Sequence, residues 1–183
     1  AIILLTYSIV TTRQNSIEAA QKEALAISEA NAKYIHDQLN IPLVTARALA
    51  DSLEGIKDPE NPLRLGRTQV NAMLKQVAED NPTFLATYTL WEPDAFDGFD
   101  SIYIGKPGHD ETGRFIPYWV RRPDGSVTVE PLAGYETPGI GDWYLIPRQT
   151  RQEYTVAPLI YPVAGVDTMM ASFIVPIIMD GKF

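Results

Sequence analysis

Six aromatic residues in the second half of the chain, Tyr118, Trp119, Tyr135, Trp143, Tyr144 and Tyr161, have the types and spacing to do chemistry without a covalent step. Trp143 and Tyr144 sit side by side in PGIGDWYLIP (138–147), where prolines and glycines argue against a long helix or strand, and Asp142 precedes them with Glu136 close by. Aromatic faces attract cations by about 0.5 to 2 kcal/mol each, and cages of them suit quaternary ammonium groups. The whole chain is acidic, with 15 Lys+Arg against 23 Asp+Glu and a formal charge of -8, which concentrates cations further. The ligand expected from these residues is a small organic cation such as a betaine, a choline-like compound or an amine. Trp143 supplies its main face, Tyr144 and Tyr135 complete the wall, and Asp142, Tyr161, Tyr118 and Trp119 are further candidates. Tyr118 and Trp119 are neighbours on a strand-like run, so only one of them faces the pocket while the other serves core or surface.

Other constellations are weaker. Asp94, Asp97 and Asp100 recur every three residues around Gly98, but they lack the spacing of a calcium loop, and Asp-rich turns more often bond their own backbone. Arg114 and Arg148 could take a carboxylate, whereas Arg121 and Arg122 flank a turn and read as solvated surface. The two histidines, His36 and His109, lie in different elements. No nucleophile elbow, metalloprotease motif or phosphate-cradling loop is present. Glu136 and Asp142 as a hydrolytic pair on a sugar platform is the enzyme alternative, with nothing positioning either for acid-base work. No cofactor, metal or catalytic residue is expected. The acidic balance argues against nucleic acid, and the lack of cysteine removes disulfides and thiolate sites.

Elements to hold such a site are legible. The opening run AIILLTYSIV is far short of the roughly 20 residues that cross a bilayer. It fits a buried core segment, the apolar part of a signal peptide, or the outer end of a transmembrane helix; Arg13 at its edge favours the last, over 1–15. From Ser16, residues Ile17, Ala20, Ala24, Ile27, Asn31, Tyr34, Gln38 and Ile41 recur in steps of three and four, the mark of one helix face kept for a partner. The pattern resumes after Pro42 to Leu53, giving a stalk over 16–58 whose helix spans about 57 Å and whose seam joins a second copy of the chain. A Pro/Gly-rich linker, GIKDPENPLRLG, leads to an amphipathic helix, TQVNAMLKQVAEDNP. Strand-like FLATYTLWEP, the hairpin RFIPYWVRRPDGSVTVEPL and the pair EYTVAPLIYPVAG and DTMMASFIVPII follow. The order predicts an α+β fold with an antiparallel sheet of about five strands and long loops.

WEPDAFDGFD, TGRFIPYWVRRPDGS, GDWY and ASFIVPIIMDGKF, in that order after a long helix, resemble the membrane-distal, PAS-like module of double Cache sensor domains of bacterial chemotaxis receptors and sensor kinases. The resemblance implies a helix continued from a transmembrane segment and a small molecule cupped between sheet and loops over 59–183. It also implies a membrane-proximal module beyond Phe183, together with part of the sheet. Amino-acid-binding members carry Arg-x-Trp-Tyr, with the arginine clamping a carboxylate. Trp143-Tyr144 matches the aromatic pair, Gly141 stands in the arginine's place, and Leu159 and Tyr161 stand where a tyrosine and an aspartate hold the ammonium group. An arginine at Gly141 is therefore expected to weaken a cation and admit a carboxylate. The resemblance implies a sensor in the inner membrane, facing the periplasm or exterior, that forms a homodimer through its stalk and signals without chemistry. A kinase or cyclase sensor for a carboxylate or amino acid is the alternative, and a structural stalk with an empty module a third reading.

Overall fold

A single helix, α1 (Ile2–Glu54), opens the computed structural model of the chain, which describes residues 2–163, 165–179 and 181–183, with side chains at all of these except 2–6, 8, 9, 161 and 162. Its 53 residues rise about 80 Å. Pro42 lies inside it, where the ring removes one backbone donor without ending the helix. The chain divides at this proline into two units, Ala1–Pro42 and Leu43–Phe183. In the first unit the seam residues Ile17, Ile27, Tyr34 and Ile41 are all exposed. In the second, the last three turns of α1 place Ala50 and Leu53 in the core, so this part of the helix packs on its own module. No helix among the described residues is long and apolar enough to cross a membrane.

The second unit is built on α2 (Arg67–Asp80), whose Val70, Leu74 and Ala78 face inward at helical spacing. They pack with Leu53, Trp91, Phe96 and Phe115. Strands β1 (Ala86–Tyr88), β2 (Pro117–Arg121) and β3 (Val127–Pro131) form an antiparallel sheet in that order, with Thr87 opposite Trp119 and Tyr88 opposite Tyr118. The expected alternation in β1 is present, and its threonine side goes inward. Thr87 and Thr89 are buried, and the Thr87 hydroxyl donates to the Leu74 carbonyl at 2.7 Å, which satisfies a polar group that burial would otherwise penalise. A short helix, α3 (Asp142–Thr150), precedes the hairpin of β4 (Tyr154–Val163) and β5 (Val166–Ile174). The five strands thus make two sheets, not the single sheet expected, because β1 and β5 do not pair directly.

Two arginines secure the loops. The buried Arg67 guanidinium bonds Asp97 through Nε at 2.9 Å, Asp100 through Nη2 at 2.6 Å and the Gly113 carbonyl at 2.9 Å. Its guanidinium carbon lies 4.1 Å from the Tyr103 ring centroid. Asp94 and Asp100 also exchange backbone-to-carboxylate bonds, so the recurrent aspartates close a loop around an internal cation. Arg121, expected on the surface, instead donates to the Ala78 and Asn81 carbonyls at the end of α2. A cation there meets the negative end of the helix dipole. Arg122 matches the surface expectation more nearly, pairing with Glu130 and Thr128 across the hairpin.

Burial pushes the Asp97 carboxyl up, and its bonds from Arg67 and from the Phe99 amide outweigh this, leaving it below the ordinary 3.8. A carboxyl depressed in the native state contributes stability above its unfolded value, and that contribution is lost as pH falls through the native one. Asp97→Asn is therefore expected to cost about 2 kcal/mol at pH 7, with the difference from the parent shrinking below pH 3.8. Urea unfolding at pH 7 and pH 3 measures it, and a pH-independent difference would refute the ion pair.

Candidate functional site

The Trp143-Tyr144 pair opens a helix rather than a loop. Asp142, Trp143 and Tyr144 form the first turn of α3, which holds only nine residues because Pro147 interrupts its bonding and Arg151 closes it in the left-handed region at φ 58. Asp142 turns back on the preceding loop, its Oδ1 accepting the Gly139 amide at 2.8 Å. The bond pins the loop that leads into the helix and caps none of the helix's own amides. Gly141 comes so close to the chain before it that a Cβ there would lie 2.3 Å from the Tyr135 carbonyl oxygen and 2.7 Å from that of Gly134. No side chain fits, so the expected exchange of ligand class by an arginine at this position is overturned by backbone crowding.

Half-buried Trp143 meets Tyr88 of β1 edge-on, with ring centroids 5.6 Å apart and planes at 76°, and Tyr88 lies 6.0 Å from Tyr118 of β2. Three rings from three elements therefore share one side of the first sheet. Burial pushes the Tyr88 phenol up to about 12, while its bond with the Ser172 side chain of β5 pulls the other way. Tyr88 is thus the point where β5 touches the first sheet. Trp119 is on the opposite side. Its Nε1 donates to Asn71 Oδ1 of α2 at 2.9 Å, and it packs against the core. Of the neighbouring pair, Tyr118 lies beside Tyr88, the ring that meets Trp143, and Trp119 does not. Tyr161 pairs with Thr168 through its backbone, and its side chain lies outside the described residues.

Tyr135 and Tyr144 are already engaged by a cation of the protein itself. The Arg114 guanidinium carbon lies 5.0 Å from the Tyr135 centroid and 5.3 Å from that of Tyr144. Its Nη2 donates to the Tyr144 hydroxyl at 2.7 Å, and that hydroxyl donates to Glu92 Oε1 at 2.5 Å. Arg148, one turn further along α3, lies 3.0 Å from the same Glu92 oxygen through Nε. Burial raises the Tyr144 phenol, and the bond to Glu92 raises it further. Burial and the bond to Asp110, 2.6 Å away, push Tyr135 up to about 12. Both tyrosines are thus held neutral as hydrogen-bond donors. Neither Arg114 nor Glu92 was legible as part of this arrangement. The available signal was a lone arginine between Gly113 and the apolar run FIPYWV. A cavity of about 240 Å3 beside Glu92 is lined by Leu90, Trp91, Lys57, Lys182 and Phe183 among others; Trp143 and Tyr118 are not in its wall.

No family model matches the chain. The chain superimposes on the extracellular domain of a protein described as a histidine kinase, mmHK1S-Z3, with a TM-score of 0.68 and 33% identity over 80% of its length, and on that of mmHK1S-Z2 at 0.66 and 34%. Its α+β fold is that of these two extracellular domains, in keeping with the expected resemblance to Cache-type sensor modules. A methyl-accepting chemotaxis protein X shares this fold, with a TM-score of 0.63 at 22% identity. In sequence the chain is 26% identical over 127 residues to the methyl-accepting chemotaxis protein TlpQ of Pseudomonas aeruginosa. It spans about half of the two kinase extracellular domains, 49% and 51%, and 18% of the chemotaxis protein.

The crowding at Gly141 makes a prediction for the chain. Gly141→Ala and Gly141→Arg are each expected to destabilise by about 1 to 3 kcal/mol through forced displacement of the 134–141 loop, read as a lower thermal midpoint. An arginine variant as stable as the parent would show that this close approach is absent in solution.

Proposed function

We propose that the chain is the membrane-distal sensing module of a transmembrane chemotaxis receptor, and that it binds a small organic cation against Trp143. The observation that carries this reading is the Trp143–Tyr88–Tyr118 group, in which α3, β1 and β2 each contribute one ring within 6.0 Å of the next. A site shared by three elements can favour one arrangement of them when filled, and only differential affinity for two arrangements can transmit a signal. With Tyr135 and Tyr144 engaged by Arg114, the external cation meets Trp143, Tyr88 and Tyr118, while Asp142 shapes the helix start. The acidic balance of the chain supports the same ligand class. Sensing here needs no bond made or broken, in keeping with the sensor domains it resembles.

In this reading residues 1–15 continue from a membrane helix in the inner membrane, 16–58 form the stalk, and 59–183 form the distal module facing the periplasm or exterior. The unbroken course of α1 across Pro42 supports the stalk. The separate sheets support the expectation that a further strand completes the module, since β1 and β5 each end a sheet within reach of one Tyr88–Ser172 bond. The likeness to histidine-kinase extracellular domains at 33% and 34% identity favours a second reading, in which the output is a kinase.

A thermal-shift screen of amines, quaternary ammonium compounds and carboxylates tests the ligand class. A bound compound at 100 times its dissociation constant stabilises by about 2.7 kcal/mol, and stabilisation by carboxylates alone would overturn the cation. For the hit, Trp143→Ala is expected to cost roughly 1 to 3 kcal/mol of affinity by calorimetry. Unchanged affinity would place the site elsewhere. The exposed seam supports a homodimer contact along the stalk, so Ile27→Asp is expected to move the chain toward monomer in sedimentation, and an unmoved distribution would count against that seam.

A further inference from the structure

We infer that Arg114 is the positioning residue of the ligand helix: an internal cation resident in a cage of tyrosines and carboxylates, which sets where α3 holds Trp143. The inference rests on the reading of Trp143 as the ligand's contact. Three stretches of chain converge on this one guanidinium, and a fourth holds the backbone amide of Arg114. Its Nε donates to the Trp91 carbonyl, just beyond β1, and its Nη1 lies 3.5 Å from Glu136 Oε1 on the loop before α3. Its Nη2 donates to the Tyr144 hydroxyl, and Tyr144 and Arg148 both bind Glu92. Tyr135 closes the second face and is itself tied to Asp110, whose other oxygen accepts the Arg114 amide at 3.1 Å.

The cage has the composition expected of a receptor for an organic cation, two aromatic faces with carboxylates at the rim. Its occupant is covalently part of the chain, and Arg114 is only 2% exposed. A flat guanidinium can stack between rings and donate in plane at once, which an ammonium cannot do. The planar fork therefore fixes the Tyr144 hydroxyl, Tyr144 fixes the first turn of α3, and Trp143 is the adjacent residue. A residue with this role can be replaced in trans by a small molecule of the same chemistry, whereas one that only fills space cannot.

The test labels the chain with 5-fluorotryptophan and follows Trp143 by fluorine NMR, its resonance assigned with Trp143→Phe. In Arg114→Ala the Trp143 signal is expected to shift or broaden, while that of Trp119, on the other side of the sheet, stays in place. Millimolar methylguanidinium is expected to return the Trp143 signal and raise the thermal midpoint of the variant by several degrees more than that of the parent, with sodium chloride having no such effect. Arg114→Lys keeps the charge without the fork and is expected to remain displaced. An unmoved Trp143 signal in Arg114→Ala, or equal responses of variant and parent to methylguanidinium, overturns the inference. Should Arg114→Ala fail to fold, Tyr144→Phe removes one hydroxyl between Arg114 and Glu92 and must still move the Trp143 signal. The readout is the difference between variant and parent, so rescue by methylguanidinium alongside unchanged ligand affinity in Trp143→Ala would sink the ligand reading alone.

Discussion

A guanidinium taken out of water must find carboxylates and carbonyls to replace its hydration, and Arg67 meets that demand in a way that organises the second unit. Its partners come from residues 97, 100 and 113, so one buried charge closes the long loop between β1 and β2 over α2. The closure is tight at Gly113, whose φ is +83 and where a Cβ would lie 1.8 Å from the Asp100 carbonyl oxygen. Only glycine takes that conformation and that distance without displacement. The next residue is Arg114. The first buried cation thereby fixes the chain from which the second reaches the tyrosines, and the position of α3 follows from an ion cluster at the far end of the loop.

Breaking such a cluster from one side leaves a charge without compensation, which is far costlier than never having built it. This explains why the acidic run 94–100 is neither a metal loop nor free surface. Two of its carboxylates are committed to Arg67, and the third bonds the backbone of Asp100. The chain carries a formal charge of -8, yet much of its local structure is decided by the few arginines that go inside. Arg67, Arg114 and Arg121 each join elements distant in sequence.

The elements legible in the sequence were those with a period. The long first helix, α2, the hairpin turning at 123–125 and the α+β order are all present, as helical spacing and turn residues foretold. Less legible was any feature decided by which face turns inward. Thr87 of β1 is polar by type and is buried because a helix carbonyl awaits its hydroxyl. In the aromatic set, residue type indicated cation binding, but type cannot show whether the cation comes from outside or from the chain. Arg114 is 21 residues from Tyr135 and 30 from Tyr144 in sequence, and no spacing rule connects them. The helical start at Asp142 was obscured by Pro138, Gly139, Gly141 and Pro147, which bound a helix of nine residues without preventing it.

Pro147 gives α3 a property that side chains alone do not supply. In a regular helix the amide of residue 147 would donate to the carbonyl four positions earlier, and that carbonyl belongs to Trp143. Proline has no amide hydrogen to give. The Trp143 carbonyl is released from the helical ladder at the same residue whose indole meets Tyr88, so an acceptor oxygen and a π face are carried by one backbone position. Pro147 is fully buried, and the ring of a helical proline lies against the carbonyl four positions earlier, so the turn that carries the indole has one ladder bond fewer and leans correspondingly on the side-chain bonds of Tyr144 and Asp142.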